Sequence, residues 1–479
     1  MICSLFRGRH VHLMGIGGAG VGALVPLLLE AGATVSGCDS DDSSALRRLR
    51  ARGLRIAIGH DPAHVTDADL VVYTSAIGPD HPEIACARRR GIQVTTRGQC
   101  LVQLMQGART LAVSGSHGKT STTWMLGHLL TEAGADPVVM VGGGVASLGQ
   151  GGARAGKSDL FVAETDESDG SFAHVSPEIA IVTNLDHEHL RHYGSFAGLE
   201  DAFNAWLRHI PAHGAAILPT GGMSARVTSG LTCRVITCGL TEGDYSATAL
   251  ELGADGSHCR VRAFGADIGE LVVPIPGAHM VHNALMAVAA GRLVAPALDI
   301  GALARCERVD RRFTVHGVAR GIRVVEDYGH HPSEVRATIA AARLGGGRVH
   351  VLFQPHRYSR TADCFADFIS AFDQAHAVAL APIYAASEMP LDGVSSARLA
   401  QAIAARRAGL GEDAGLVAHG ADLAECAAFV AGHARVGDTC LVLGAGDVGR
   451  WAKPLLALLD GPSGDISSTA LLACCGDEW

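Results

Sequence analysis

The run Gly115-Ser116-His117-Gly118-Lys119-Thr120-Ser121 follows directly on the apolar Leu111-Ala112-Val113. Residues of these types at this spacing suit phosphate binding: glycines let backbone N–H groups curl around oxygens, a following helix adds its positive end, and lysine brings a mobile charge. The hydroxyl of Thr120 beside that lysine is placed to ligate a divalent cation. Lys119 is one of three lysines, with Lys157 and Lys453, in a chain that otherwise takes its positive charge from arginine. A merely exposed position would accept arginine, so the choice of lysine favours a phosphate cradle over a plain strand-to-helix turn. The full Walker spacing asks for another glycine where Val113 stands, so the motif is present in a shortened form.

Acids and histidines cluster after two later apolar runs. Glu164, Asp166, Glu167 and Asp169 follow Leu160-Phe161-Val162-Ala163, and Asn184, Asp186, His187, Glu188 and His189 follow Ile179-Ala180-Ile181-Val182. In an open parallel sheet, residues just past the strands share the ligand crevice, so both sets are expected to face the phosphate loop. Carboxylates and an imidazole there suit Mg²⁺ bridging ATP phosphates. Taken singly, Asp166 and Glu167 read as solvated loop charges. Further on, Asp327-Tyr328-Gly329-His330-His331-Pro332 and Gln354-Pro355-His356-Arg357-Tyr358-Ser359-Arg360 each follow a strand signal. Their arginine forks suit a carboxylate, as in an amino acid or a sugar acid.

Two glycine fingerprints complicate the picture. Gly15-Ile16-Gly17-Gly18-Ala19-Gly20, with Asp39 downstream, fits a dinucleotide turn, and Gly444-Ala445-Gly446-Asp447-Val448-Gly449 repeats the spacing. A nicotinamide-dependent dehydrogenase is therefore a competing reading, although it leaves the phosphate loop idle. For the second copy, close packing of loop against helix explains the glycines as well as a ligand does.

These motifs need α/β scaffolding. Strand signals alternate with helical patterns, as in a mainly parallel sheet flanked by helices, and 479 residues allow about three domains. The boundaries expected are 1–107, 108–314 and 315–460, with a loosely held tail over 461–479. The second block is expected to become irregular and turn-rich through about residue 275. A net charge of −9 argues against a broad nucleic-acid-binding face. Thirteen scattered cysteines, no signal-peptide core and no apolar run of membrane-spanning length point to a reduced, cytoplasmic setting without membrane insertion.

Taken together, the motifs resemble the Mur ligases. The resemblance runs from His12 to about Gly449 and rests on several separate signatures: the first glycine turn, Gly118-Lys119-Thr120, Ala163 to Asp169, Thr183-Asn184, Pro276-Gly277-Ala278-His279 before Asn283-Ala284, Arg311-Arg312-Phe313, Asp327 to Pro332, and Gln354 to Thr361. It implies a Rossmann-like uridine-nucleotide domain, a central P-loop ATPase and a Rossmann-like domain that admits the amino acid. The reaction implied is ATP-dependent ligation of L-alanine to the lactyl carboxylate of UDP-N-acetylmuramate through an acyl phosphate, in peptidoglycan biosynthesis. A family alternative joins the same nucleotide to a recycled tripeptide, and the turn Gly17-Gly18-Ala19-Gly20 argues against it.

By the same resemblance, Gly15, Gly17, Gly18, Ala19, Gly20, Asp39 and Ser75 would contact the UDP-sugar. Gly115 to Ser121, His279, Asn283, Arg312 and Asp327 would serve ATP, with His279 and Asn283 at adenine. Thr120, Glu164 and His189 would hold Mg²⁺ or Mn²⁺. His356, Arg357 and Arg360 would receive the amino acid or the acyl phosphate, and Asp327 and His330 would lie where the domains close. Lys119, His189, His330, Arg357 and Arg360 are the expected catalytic set. The sequence departs from the family pattern at Met280 (usually asparagine), Arg191 (usually an acid), Glu188 (in an aspartate's place) and Ser387 (usually glycine, before Glu388).

Overall fold

The computed structural model describes residues 4–74, 77–168, 170–411 and 416–461. Ser75 and Asp169, and all of the expected tail beyond Gly461, lie outside the described residues. Among those described, the chain forms three sheets of five, ten and six strands. In the first, His10–Met14 lies at the centre between Thr34–Asp39 and Leu70–Tyr73, all parallel, so the strand order reverses beside the first glycine turn. Such a reversal opens a crevice at the strand ends.

The second sheet has Arg109–Ser114 in its interior, parallel to Leu160–Glu164 on one side and Ile179–Val182 on the other. The phosphate loop and both acidic clusters therefore leave the same edge of the sheet. The segment expected to be irregular is instead ordered strand. Ala215–Pro219 and Arg234–Gly239 continue the parallel run, and Tyr245–Leu252, Ser257–Ala263 and Ala266–Val273 close the sheet as an antiparallel meander. The turns are dense because the hairpins are tight, and in Ser257–Ala263 alternate side chains are buried, as a one-sided strand requires. The third sheet is parallel apart from its edge strand Thr314–Ala319.

The helix Lys119–Glu132 is buried over most of its length and packs against Ala278–Val294, which is also buried nearly all round. A Cβ at Gly127 would come within 2.7 Å of Val139, so this glycine sets how closely the helix meets the sheet. One apolar cluster joins Val11, Leu13 and Leu70 of the first sheet to Phe161, Phe172, Phe203 and Trp206 of the second unit. Another joins Leu111 and Val113 to Val325, Val351 and Phe353 of the third sheet. No described helix is long and apolar enough to cross a membrane.

Trp206 is fully buried, donates its indole N–H to the Val175 carbonyl at 3.1 Å and lies 5.3 Å from the Phe172 ring. Trp206→Ala is expected to cost about 3–5 kcal/mol, read by calorimetry as a clear fall in Tm; an unchanged melt would mean that the buried indole does not hold the aromatic cluster of the second unit.

Candidate functional site

The phosphate loop is shaped by contacts on both sides. Gly115 has φ +126° and Gly118 has φ +80°, both in the region that favours glycine. A Cβ on Gly115 would fall 2.3 Å from the Thr183 hydroxyl, and one on Gly118 would fall 2.8 Å from the Asn283 amide. The Ser116 N–H donates to the Asn184 carbonyl and the His117 N–H to the Asn184 side-chain oxygen, both at 3.0 Å. Thr183-Asn184 thus holds the loop from below and Asn283 covers it from above.

Lys119 folds back over this loop. Its Nζ donates to the Gly115 carbonyl at 2.6 Å and to Glu167 Oε1 at 2.8 Å. Burial alone would lower the lysine's pKa, but Glu167, Asp166 and Glu164 outweigh it and keep the ammonium charged. Burial raises the Glu167 carboxyl to about 7 despite the opposing pull of Lys119. The expectation that Glu167 is a solvated loop charge is therefore wrong: the side chain is 1% exposed and bonded to the lysine. A turn that bends into the sheet edge buries it, which loop composition does not reveal. Asp166, expected to be solvated in the same way, is half-buried and caps its own turn through the Ser168 N–H at 2.9 Å.

Of the expected metal ligands, Thr120 is buried on the first helical turn and Glu164 ends its strand, accepting from the Gly142 N–H at 2.8 Å. His189 stands at φ +59°, with Nε2 3.8 Å from Glu167 Oε1 and 3.7 Å from Glu188 Oε1. Burial lowers the pKa of His189 and leaves its imidazole neutral, the form in which it can ligate.

The residues expected at ATP converge. A cavity of about 300 Å³ is lined by His117, Gly118 and Ser121 of the loop, His279 and Asn283 of the long helix, Arg312 and Asp327. Met280, the departure from the family pattern, lines it too, and the Asn283 amide approaches its sulfur at 3.8 Å. Burial, with Arg312 nearby, lowers His279 to about 4. Asp327 accepts from the Phe313 N–H at 2.8 Å and the Gly329 N–H at 2.7 Å, and burial raises its pKa.

The third unit brings a second cluster beside this cavity: His330 lies 3.5 Å from Glu334, and His356, Arg357 and Arg360 follow the next strand. The His330 and His356 rings lie 5.7 Å apart, and Arg360 Nη1 is 3.2 Å from His356 Nδ1. Burial first, then neighbouring charge, lowers His330 to about 4 and His356 to about 3. Both are neutral near pH 7, so the positive charge here belongs to the arginines. Arg357 sits at φ +68°, a strained value for a residue other than glycine, and its N–H donates to the Tyr384 carbonyl at 2.8 Å.

Ion pairs and hydrogen bonds tie this cluster to the second unit. Arg360 donates to Glu188 Oε1 at 2.7 Å, the Ser333 hydroxyl to Asp186 at 2.6 Å, and Arg191 makes a two-point pair with Asp363 at 2.8 and 2.9 Å. Glu334 was not singled out in the sequence, yet it lies 3.5 Å from His117, 3.6 Å from Arg312 and 3.5 Å from His330. Its signal was present: Pro332 opens the helix Pro332–Arg343, and Glu334 at the third position forms a capping box with His331.

At the first glycine turn, Asp39 accepts the Gly17 N–H at 2.8 Å, and a Cβ on Gly20 would press on Arg97. The second fingerprint is packing. Cβ atoms on Gly446 and Gly449 would lie 2.5 Å from Gln354 Oε1 and 2.1 Å from Glu326 Oε1, while Arg311 donates to the Gly444 carbonyl at 2.7 Å.

Three family models match the chain in succession: Mur ligase family, catalytic domain, over residues 10–109; Mur ligase middle domain over 113–291; and Mur ligase, glutamate ligase domain, over 311–446. A UDP-N-acetylmuramate–L-alanine ligase of Sorangium cellulosum is 43% identical over 469 residues, 96% of this chain and 98% of the relative. One of Anaeromyxobacter dehalogenans is 43% identical over 466 residues, covering 95% of this chain and all of the relative. Among solved structures, the UDP-N-acetylmuramate-alanine ligase of Thermotoga maritima superposes with TM-score 0.78 at 27% identity, covering 94% of this chain and 98% of that one. A murein peptide ligase of Psychrobacter arcticus superposes with TM-score 0.69 at 24% identity over 96% of this chain and all of that one, a likeness of fold.

His117 links the two units electrostatically. Burial would lower its pKa, but Asp186 and Glu334 raise it to about 10. A folded-state pKa raised above the unfolded value of about 6.5 gives stability that is complete below that value and is lost as pH rises through about 10. In nucleotide-free protein, the Tm gap between wild type and His117→Gln is therefore expected to be widest near pH 6 and to narrow steadily toward pH 10. A gap independent of pH would show that the imidazole is not charged.

Proposed function

This chain belongs to the Mur ligase family, and on that premise we propose that it joins L-alanine to the lactyl carboxylate of UDP-N-acetylmuramate, converting ATP to ADP and phosphate. The observation that carries the reading is the shared cavity: phosphate loop and long helix on one side, Arg312, Asp327 and Glu334 on the other. A nucleotide held there has its phosphates at Lys119 and its reacting end toward Arg357 and Arg360.

A carboxylate resists attack by an amine because its charge is delocalised and it has no leaving group. Its oxygen first attacks the γ-phosphorus of ATP, giving an acyl phosphate and ADP. The amine of L-alanine then adds to the acyl carbon, and the tetrahedral intermediate expels phosphate. Phosphoryl transfer is governed by positioning and charge neutralisation. Lys119 supplies mobile charge at the loop, and in the free enzyme Glu167 keeps that charge in place. Arg357 and Arg360 receive the amino-acid carboxylate or the acyl phosphate, with Glu188 orienting Arg360. His330 and His356, being neutral, add shape and hydrogen bonding without further charge.

Thr120, Glu164 and His189 would hold Mg²⁺ or Mn²⁺, their oxygen-rich donor set suiting a hard cation. The buried Glu167 Oε2, which has no hydrogen-bond partner among the described residues, marks a place nearby where positive charge would be welcome. When bound, the metal ion supplies neutralisation of the phosphate oxygens. The turn at Gly15 to Gly20, with Asp39 and Ser75, is assigned to the UDP-sugar.

Phosphate release is expected only when ATP, UDP-N-acetylmuramate and L-alanine are all present. Release that is indifferent to the sugar nucleotide would overturn the reading, and preference for a tripeptide over L-alanine would move the chain to the recycling branch of the family. Lys119→Ala is expected to lower kcat at least about 10²-fold, with the protein still folded by circular dichroism.

A further inference from the structure

The first unit contains a cluster of metal-ligating side chains that the ligase reaction does not use. His12 lies on the central strand, Cys38 next to it on the neighbouring strand, His60 just past the third strand, and Glu83 on the first turn of the helix Pro82–Arg89. His12, Cys38 and Glu83 are 2%, 0% and 0% exposed. Cys38 Sγ lies 3.4 Å from His12 Nε2, 3.4 Å from His60 Nδ1 and 3.5 Å from the Glu83 carboxylate. His60 Nδ1 is 2.9 Å from Glu83 Oε2.

We propose that His12 Nε2, Cys38 Sγ and the Glu83 carboxylate, with His60 Nδ1 on their solvent side, form a site for a zinc-class divalent ion. Bonds of about 2.0–2.1 Å to nitrogen and 2.3 Å to sulfur, at tetrahedral angles, place nitrogen and sulfur about 3.5 Å apart. All three distances from the sulfur match that edge. A sulfur–nitrogen–carboxylate donor set selects zinc or a related transition metal over magnesium.

The surrounding groups already orient these ligands as a metal site needs. His12 Nδ1 is engaged by the Ser36 hydroxyl at 2.9 Å, which turns Nε2 toward the sulfur. The other Glu83 oxygen accepts from the Asp61 N–H at 3.0 Å and faces His64 Nδ1 at 2.9 Å. His60, His64 and His81, with side chains 22–25% exposed, give an ion a route from solvent. Burial lowers His12 to about 4, so its imidazole is neutral and ready to ligate. Burial and Glu83 raise the Cys38 thiol, which a bound cation would deprotonate. Ligands drawn wholly from the protein, three of them buried, make a structural site. It lies one residue before Asp39, so an ion here would stiffen the strand end that shapes the first glycine turn.

The test uses the full-length protein, stripped with a chelator and kept in excess Mg²⁺ so that the oxygen-rich phosphate site is filled. Zn²⁺ is expected to bind as one tight equivalent and to raise Tm. Co²⁺ in its place is expected to give a thiolate-to-metal charge-transfer band in the near ultraviolet. Cys38→Ser should abolish the band and weaken Zn²⁺ binding at least 100-fold, and His60→Gln should weaken it at least tenfold. Absence of the band in wild type at stoichiometric Co²⁺, or unchanged Zn²⁺ affinity in Cys38→Ser, overturns the proposal and leaves the cluster a hydrogen-bonded network around a buried carboxylate. The wild-type cobalt spectrum decides the matter even if a variant fails to fold.

Discussion

A partly buried ammonium held by a buried carboxylate governs the arrangement of the site. Lys119 and Glu167 meet at 2.8 Å with the carboxylate essentially removed from water. A charge so placed is tolerable only when paired, and losing one partner of such a pair costs about 3–5 kcal/mol. The pair therefore constrains everything that positions it: the interior strand that ends at the loop, the glycines that let Lys119 turn back, and the neighbouring strand that delivers Glu167. It also makes the loop responsive to phosphate. An anion arriving among the loop N–H groups competes with Glu167 for the same ammonium, and a carboxyl already raised to about 7 gives up that partner readily.

The same logic extends outward to where the third unit meets the second. Asp186, Glu188 and Glu334 are matched by His117, Arg360 and Arg312. Acids and bases come from both units, so neither is compensated without the other. Burial alone would push these carboxyls up, yet Glu188 is lowered to about 2 because Arg360 and His117 outweigh it. Electrostatics thus favours docking with all the acids ionised. A substrate carboxylate that draws Arg360 away from Glu188 would loosen this contact, which couples substrate occupancy to how firmly the third unit sits.

Much of this was legible in the sequence because local chemistry and strand ends coincide. The phosphate loop, the acids after two strands and the arginine-rich turn each follow an apolar run, and a parallel sheet brings such positions to one edge. His117, Gly118, Ser121 and Asp327, each just past a strand or at its end, line one cavity for that reason. Glu167 was misjudged because its burial depends on a turn folding inward, which depends on neighbours distant in sequence. Glu334 was missed because it reads as a helix cap, and only docking turns a cap into a bridge among His117, Arg312 and His330. The meander from Tyr245 to Val273 was hidden by its own turns: short hairpins leave too few residues between glycines and charges for alternation to stand out.

The departures from the family pattern are absorbed by their neighbours rather than by a change of chemistry. Arg191 stands where an acid is usual, and Asp363 across the interface answers it with two hydrogen bonds. Both side chains are well exposed, so the pair is worth about 0.2–1 kcal/mol, enough to bias docking without fixing it. Ser387 occupies a position where glycine is usual and keeps the left-handed backbone, at φ +68°. The conformation survives without the residue that adopts it at least cost, so something else must hold the turn. The adjacent Glu388 does so, accepting from both the Ser359 N–H and hydroxyl, at 2.9 and 2.6 Å. Those bonds fasten the turn to the start of the helix that carries Arg360, so the strain at Ser387 is retained in a turn that braces the element positioning that arginine.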